Sequence, residues 1–324
     1  MTMNSDLILG YDYDKWYGYG IKEPVITDIS TKTNSHTLIC GMSGSGKSYA
    51  ESILLARIAN TEGKVLFSDF KQDDSFTFLR ECPRYYPYDK TIEALETVYD
   101  TLHKRQSGED TSRSPITLVW DEYMANILAI QGTEKKKADD IMRKVSEILM
   151  LGRSLGVRLL ISCQRPDAAA FPSGSRLNYG VILIVGAPIR SIYEMLIPKE
   201  YIDEIGDRNF KRGEGVALLQ GSEMRFIKIP MVRDMEKMQQ ICIDALVFNV
   251  EPESFESFFD AVYWATVSLT TVGYGDIYPI STIGRVITML SSIFGIAIVA
   301  LPAGIITAGY MSELENSKKK KDDK

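Results

Sequence analysis

The stretch "GMSGSGKS", Gly41 to Ser48, restricts the fold more than any other, because it demands a particular chain path on either side. Glycines at positions 41 and 46 followed by Lys47 and Ser48 fit the spacing GxxxxGK[ST]. In that pattern backbone N–H groups close around phosphate oxygens at a helix N-terminus, where the dipole favours negative charge. The loop needs a strand before it and a helix after it. "HTLIC" from His36 is apolar and β-rich, and "KSYAESILLARIAN" spaces its apolar residues at helical intervals. A glycine-rich loop alone is often only a turn. Here four fixed positions, both flanking elements and a downstream apolar strand ending in Asp-Glu coincide.

Further strands are expected at "KVLFSDF" (Lys64 to Phe70), "ITLVWDEY" (Ile116 to Tyr123), "VRLLISCQRP" and "YGVILIVG", with helices near Thr91 to Lys104 and Asp139 to Leu151. "GEGVALLQG" and "MRFIKIP" are expected to form a terminal hairpin. Strands alternating with helices predict an α/β fold with a mostly parallel sheet covered on both faces.

Chemistry follows from the loop. The backbone of Gly41, Met42, Ser43, Gly44, Ser45 and Gly46 would cradle phosphates, and Lys47 would reach the β and γ groups of ATP. Ser48 and Asp121 would hold Mg²⁺, a hard cation that takes oxygen ligands and keeps several waters. Glu122 is placed either to polarise the attacking water or to be a solvated loop acid; the first role predicts an ATPase.

Composition limits the alternatives. A chain of 324 residues with 45% hydrophobic and 25% charged residues suits two globular parts rather than a disordered or polytopic chain. The net charge of −6 argues against a basic coat but leaves room for a local nucleic-acid patch. Cys40, Cys82, Cys163 and Cys242 show no CxxC spacing and are expected as reduced core thiols. Only His36 and His103 occur, which disfavours a histidine-based metal site. No signal-peptide pattern precedes the first motif, so the N-terminal part is expected in the cytoplasm.

"GRSLGVRLLISCQRP", Gly152 to Pro166, resembles the GRAxGIHLxxATQRP signature of the FtsK/SpoIIIE family of DNA-pumping ATPases. "DFK" at Asp69 to Lys71 matches that family's DPK, and "GEGVALLQG" from Gly213 is similar to its late GxGxxL strand. In texture the chain is most similar to coupling-type ATPases of conjugative elements in Firmicutes, over roughly residues 36 to 230. The resemblance implies a RecA-like P-loop core, a hexamer threading double-stranded DNA, and Gln164 as a sensor of the γ-phosphate. Arg153 and Arg176 become candidates for an arginine finger given to a neighbouring subunit, or plain surface charges. The family's large subdomain before the P-loop, its N-terminal membrane segment and its winged helix are not expected in this sequence, so the expectation rests on hydrolysis ahead of directional pumping.

The C-terminal quarter has a different composition. "SFFDAVYWATVSLTTVGYGDIYP" resembles the pore helix and filter of tetrameric potassium channels, in which four such loops turn carbonyls inward to replace the ion's water shell. The resemblance implies K⁺ coordination by Thr271, Val272, Gly273 and Tyr274, with Tyr263 and Trp264 bracing the pore helix. "TIGRVITMLSSIFGIAIVALPAGIITAGYMSEL" contains an apolar run of about 25 residues, enough to cross about 30 Å of hydrocarbon. It resembles a voltage-gated-type inner helix with Gly295 as hinge or close-packing site, Pro302 as kink, and Lys318 to Lys321 at the cytoplasmic end. The run "ALVFNV" is too short for an outer helix.

The expected organisation is an extension (1–35), an FtsK-like ATPase domain (36–232), an amphipathic linker (233–249), a pore segment lacking a complete outer helix (250–316) and a charged tail (317–324). The second part would be an all-α membrane segment of re-entrant pore helix, filter and one transmembrane helix, placing the chain at the cell membrane. Without an outer helix the ATPase and the tail compete for the same side of the bilayer, and a pore of four conflicts with a ring of six. Three readings stay open: a DNA-translocating ATPase, a potassium channel subunit with a nucleotide-binding domain, and a non-functional fusion.

Overall fold

A computed structural model describes residues 6–28, 36–59, 63–167, 169–171, 178–247, 258–270, 272–279, 288–293 and 307–312. The chain forms two units, residues 1–248 and 249–324.

The first unit opens with β1 (Asp6–Asp12), α1 (Tyr13–Tyr19), β2 (Pro24–Asp28), β3 (His36–Cys40), α2 (Lys47–Ala59) and β4 (Lys64–Asp69). A 3₁₀ turn (Asp74–Leu79), β5 (Tyr85–Pro87), α3 (Thr91–Ser107), β6 (Ile116–Asp121), α4 (Tyr123–Thr133), α5 (Lys135–Leu155) and β7 (Val157–Cys163) follow. It closes with β8 (Tyr179–Val185), α6 (Arg190–Leu196), α7 (Lys199–Ile205), β9 (Glu214–Leu219), β10 (Glu223–Lys228) and α8 (Met235–Val247).

The strands make one sheet in the order β2-β1-β10-β9-β8-β3-β7-β6-β4-β5. From β8 to β5 all neighbours are parallel; β9, β10, β1 and β2 continue the sheet antiparallel. A mostly parallel sheet of this kind fits a RecA-like P-loop core. Its central strands read as continuous apolar runs because both faces are covered. Leu38 and Cys40 of β3 enter one core with α3, α4 and α5, while Ile39 enters the other with α2 and α8. That alternation is the two-residue period of a strand.

Two expected boundaries look different in three dimensions. Residues 6–28, expected as an extension, add β1 and β2 to the sheet and bury Leu7, Leu9 and Val25. The stretch expected as a linker contains α8, whose Met238, Cys242 and Leu246 are buried against the α2 face. An amphipathic helix covers whatever core is exposed beside it, and here that is the core around α2.

In the second unit, α9 (Phe258–Leu269) coincides with the expected pore helix, and short helical pieces lie at 288–293 and 307–312. Among the described residues no helix is long and apolar enough to cross a membrane. Most of the expected inner helix, including Gly295 and Pro302, and the lysine tail lie outside the described residues.

Candidate functional site

Parallel strands deliver their C-terminal ends to one edge of the sheet, and the sequence places its chemistry there. Gly41 leaves β3, its N–H donating to the Cys163 carbonyl at 3.2 Å, and the chain turns through Gly44 and Gly46 at φ 80° and 95°. These left-handed values suit glycine. A Cβ at Gly41 would sit 2.5 Å from Ser45 Oγ, so the loop closes only without one.

Behind the loop lies a charge cluster. Lys47 Nζ is 2.8 Å from Asp121 Oδ1 and 3.2 Å from Glu122 Oε1, and donates to Ser162 Oγ at 3.1 Å. The Ser162 hydroxyl donates to Asp121 Oδ1 at 2.6 Å, and the Glu122 N–H donates to Ser162 Oγ at 3.3 Å. Lys47, Asp121 and Glu122 are all buried. Burial works against the Lys47 charge, but Asp121, then Glu51 and Glu122, outweigh it and hold its pKa above the ordinary value. Glu122 has φ 52° and ψ 41°, an uncommon conformation for a residue with a side chain. Strain of this kind persists where the surroundings over-determine it. Gln164 Nε2 donates to Glu122 Oε1 at 3.3 Å.

A cavity of about 450 Å³ opens beside this cluster. Met42, Ser43, Gly44, Gly46, Lys47 and Ser48 line it together with Glu122 and Gln164. Asp121 sits behind Lys47, outside the lining. Among the described residues no group of three or more His, Cys, Asp or Glu side chains could hold a metal ion. Ser48 and Asp121 are oxygen donors of the type Mg²⁺ takes, and a cation held by so few protein atoms depends on oxygens of its substrate for the rest.

The "DFK" stretch acquires a physical role. Asp69, next to Asp121 in register, accepts from the Tyr85 hydroxyl and the Gln72 N–H, both at 2.7 Å. These bonds hold Gln72 at φ 53° and bring Lys71 to the cavity wall, where it pairs with Asp73 at 2.8 Å.

Several members of this site were missed from sequence. Ser162 links the Lys47 ammonium, the Asp121 carboxylate and the Glu122 backbone N–H at once; a serine inside the apolar run "LLISC" was the available signal. Glu51, one helical turn after Lys47, is wholly buried and neither carboxyl oxygen has a hydrogen-bond partner among the described residues. Burial, then the Asp121 charge, push its pKa well up. The α8 residues Met235, Met238 and Gln239 line the cavity, as does Arg212.

The arginine-finger candidates do not join this edge. Arg153 is exposed on the last turn of α5, and its charge bears on His36, at the opposite end of β3 from the phosphate loop. Arg176 lies outside the described residues.

The fold has solved counterparts. The conjugation coupling protein TcpA of pCW3, in a structure with ATPγS, matches with a TM-score of 0.58 at 18% identity, over 74% of this chain and 70% of that one. The cytoplasmic domain of the type VII secretion ATPase EccC of Thermomonospora curvata matches with a TM-score of 0.54 at 19% identity, over 76% and 31%. EssC (ATPases 2 and 3) of Geobacillus thermodenitrificans gives 0.55 at 13%, over 76% and 50%. At such identities the likeness is one of fold, that of P-loop ATPases of conjugation and secretion.

The C-terminal quarter belongs to a different set of likenesses. Residues 240–311 match the family model described as "Ion channel". The KQT member 1 voltage-gated potassium channel of Squalus acanthias is 41% identical over 69 residues, and human KQT member 4 is 37% identical over 79. Those stretches cover 21% and 24% of this chain but only 10% and 11% of the channels, so the chain spans about a tenth of each channel's length.

The stretch from Thr266 to Asp276 is held by local bonds. Thr270 N–H donates to the Thr266 carbonyl at 3.0 Å, extending α9, and Val272 N–H donates to the Val267 carbonyl at 3.1 Å. Gly273 and Gly275 have φ 58° and 75°. The Tyr263 hydroxyl donates to Asp276 Oδ2 at 3.0 Å, tying α9 to the residue after Gly275. Val272, Gly273 and Tyr274 are exposed, and Thr271 lies outside the described residues. The match begins inside α8, where Cys242 Sγ contacts the Ser52 carbonyl at 3.7 Å and Arg84 donates to the Ala245 carbonyl at 3.3 Å. Through Val247, the first residues of that match are packed into the core of the first unit.

Proposed function

We propose that the chain is an ATP-hydrolysing motor core of the conjugative coupling type, joined to a truncated potassium-channel pore module. The observation that carries this reading is the meeting of Lys47, Asp121, Glu122, Ser162 and Gln164 at one cavity edge of the parallel sheet. In the proposed reaction Lys47 turns from Asp121 towards the β and γ phosphates. Glu122, aimed by its backbone and by Gln164, accepts the proton of the attacking water. Mg²⁺ held by Ser48 and Asp121 would neutralise developing phosphate charge. Double-stranded DNA is the proposed polymer moved, by a hexameric ring at the cytoplasmic face of a membrane, with Arg153 or Arg176 serving a neighbour. The test is ATP turnover by the full chain in detergent, with and without duplex DNA. Turnover raised by DNA is expected; none under either condition would sink the reading.

A second reading has its own support. Positive φ at Gly273 and Gly275 and the Tyr263–Asp276 bond favour a potassium-selective pore assembled from four chains, with K⁺ held by carbonyls of Thr271, Val272, Gly273 and Tyr274. The nucleotide domain would then serve the channel. Potassium flux into liposomes holding the full chain tests it, and impermeable liposomes would remove it.

A further inference from the structure

Three cationic side chains border the cavity: Lys47, Lys71 and Arg212. Two are committed, Lys47 to Asp121 and Glu122 and Lys71 to Asp73. Arg212 has no ion-pair or hydrogen-bond partner among the described residues. Nearby cations are engaged elsewhere: Lys228 with Glu214 at 2.8 Å, and Arg208 stacked 4.0 Å over the Phe226 ring.

An exposed arginine alone carries little meaning, but this one stands on a segment fastened to the phosphate loop. The Gly213 N–H donates to the Ser45 carbonyl at 3.0 Å. A Cβ at Gly46 would lie 3.2 Å from both Arg212 Cγ and Gly213 N, so the backbone of residues 212–213 rests on the loop itself. A second anchor is Glu214, buried, which accepts from the Lys211 N–H at 2.9 Å, from Lys228 Nζ at 2.8 Å and from the Tyr17 hydroxyl at 2.6 Å. The Arg212 backbone is thus clamped between the phosphate loop on one side and a buried carboxylate on the other, with its guanidinium left unpaired at the cavity rim.

We infer that Arg212 binds the phosphate chain of the nucleoside triphosphate from within its own subunit, an inference that rests on the nucleotide reading above. A guanidinium matches phosphate oxygens with a planar fork of donors, and a pre-positioned backbone lowers the entropy lost on contact. The bond from Tyr17 gives the N-terminal strands and α1 a part in the site, because they help hold Glu214 and so the segment that bears Arg212.

The test compares the full chain with Arg212→Ala, titrating ATP and, separately, inorganic triphosphate, which has no base or sugar. A charge-assisted contact predicts about tenfold or greater weakening for both probes, with Arg212→Lys recovering part of it. Unchanged binding of both would overturn the inference alone. Loss for ATP with triphosphate unaffected would overturn it too, placing the contact on the base or sugar. Wild-type protein binding neither probe would remove the nucleotide reading and this inference together. Melting curves check folding, and Arg212→Gln serves if alanine lowers the melting temperature.

Discussion

Residues 1–248 and 249–324 solve opposite problems. The first unit buries its apolar side chains on both sheet faces and completes its charge cluster with its own residues. In the second, no described residue joins either of the two apolar cores, and Val272, Tyr274, Met289 and Ile293 are all more than half exposed. Large exposed apolar surface marks a face that needs lipid or another chain. The contrast teaches that the Lys47 cluster is complete within one fold, whereas the exposed apolar face of the second unit is left for something outside it.

Removing Lys47 tests the self-sufficiency of the first unit most severely. Lys47→Ala is expected to lower ATP turnover by roughly a hundredfold to a thousandfold, because a preorganised charge at the phosphates is lost. Turnover near wild type would mean the cluster is not the catalytic site. Gly273→Ala probes the other side: a side chain at φ 58° costs about 1–2 kcal/mol in each of four converging loops, so potassium flux should vanish. Flux surviving this change would have another route.

Leu246→Ala asks to which part α8 belongs. Leu246 is fully buried in the first unit, and the substitution should destabilise that unit by about 2–5 kcal/mol, read as a lower melting temperature. An unchanged melting curve would return α8 to the role of linker. The last effect is graded with pH and concerns His36, whose Nδ1 accepts from the Leu159 N–H at 3.1 Å. Burial, then Arg158 and Arg153, lower its pKa from 6.5 to about 3. The unfolded chain therefore binds more protons in that window, and stability falls as pH drops from about 6.5 towards about 3, by at most about 1.4 kcal/mol per unit. Melting temperatures across this range should show the slope, and His36→Gln should flatten it.

Much of the first unit was legible because its signals are local. The strands of "HTLIC", "KVLFSDF" and "ITLVWDEY" are apolar runs, and the phosphate loop is contiguous with the helix it needs. What was not legible depends on crossovers. Ser162 lies 115 residues from Lys47, and the Tyr17–Glu214 bond spans 197, so neither partnership leaves a mark in any short window. The strands β1 and β2 escaped notice because they follow no alternating βα rhythm and pair backwards onto the end of the sheet. For α8, periodicity announced an amphipathic helix but not which surface it would cover.

The strand order also governs how copies of this protein avoid sticking together. Both margins of the sheet are blunt: β2 begins at Pro24, and β5 is three residues long and ends at Pro87. Proline withholds a ladder donor, and short margins offer little template for a foreign strand. Contacts between copies are therefore left to side chains on helices and loops, which can part again, instead of to backbone pairing that would fuse them into a continuous sheet.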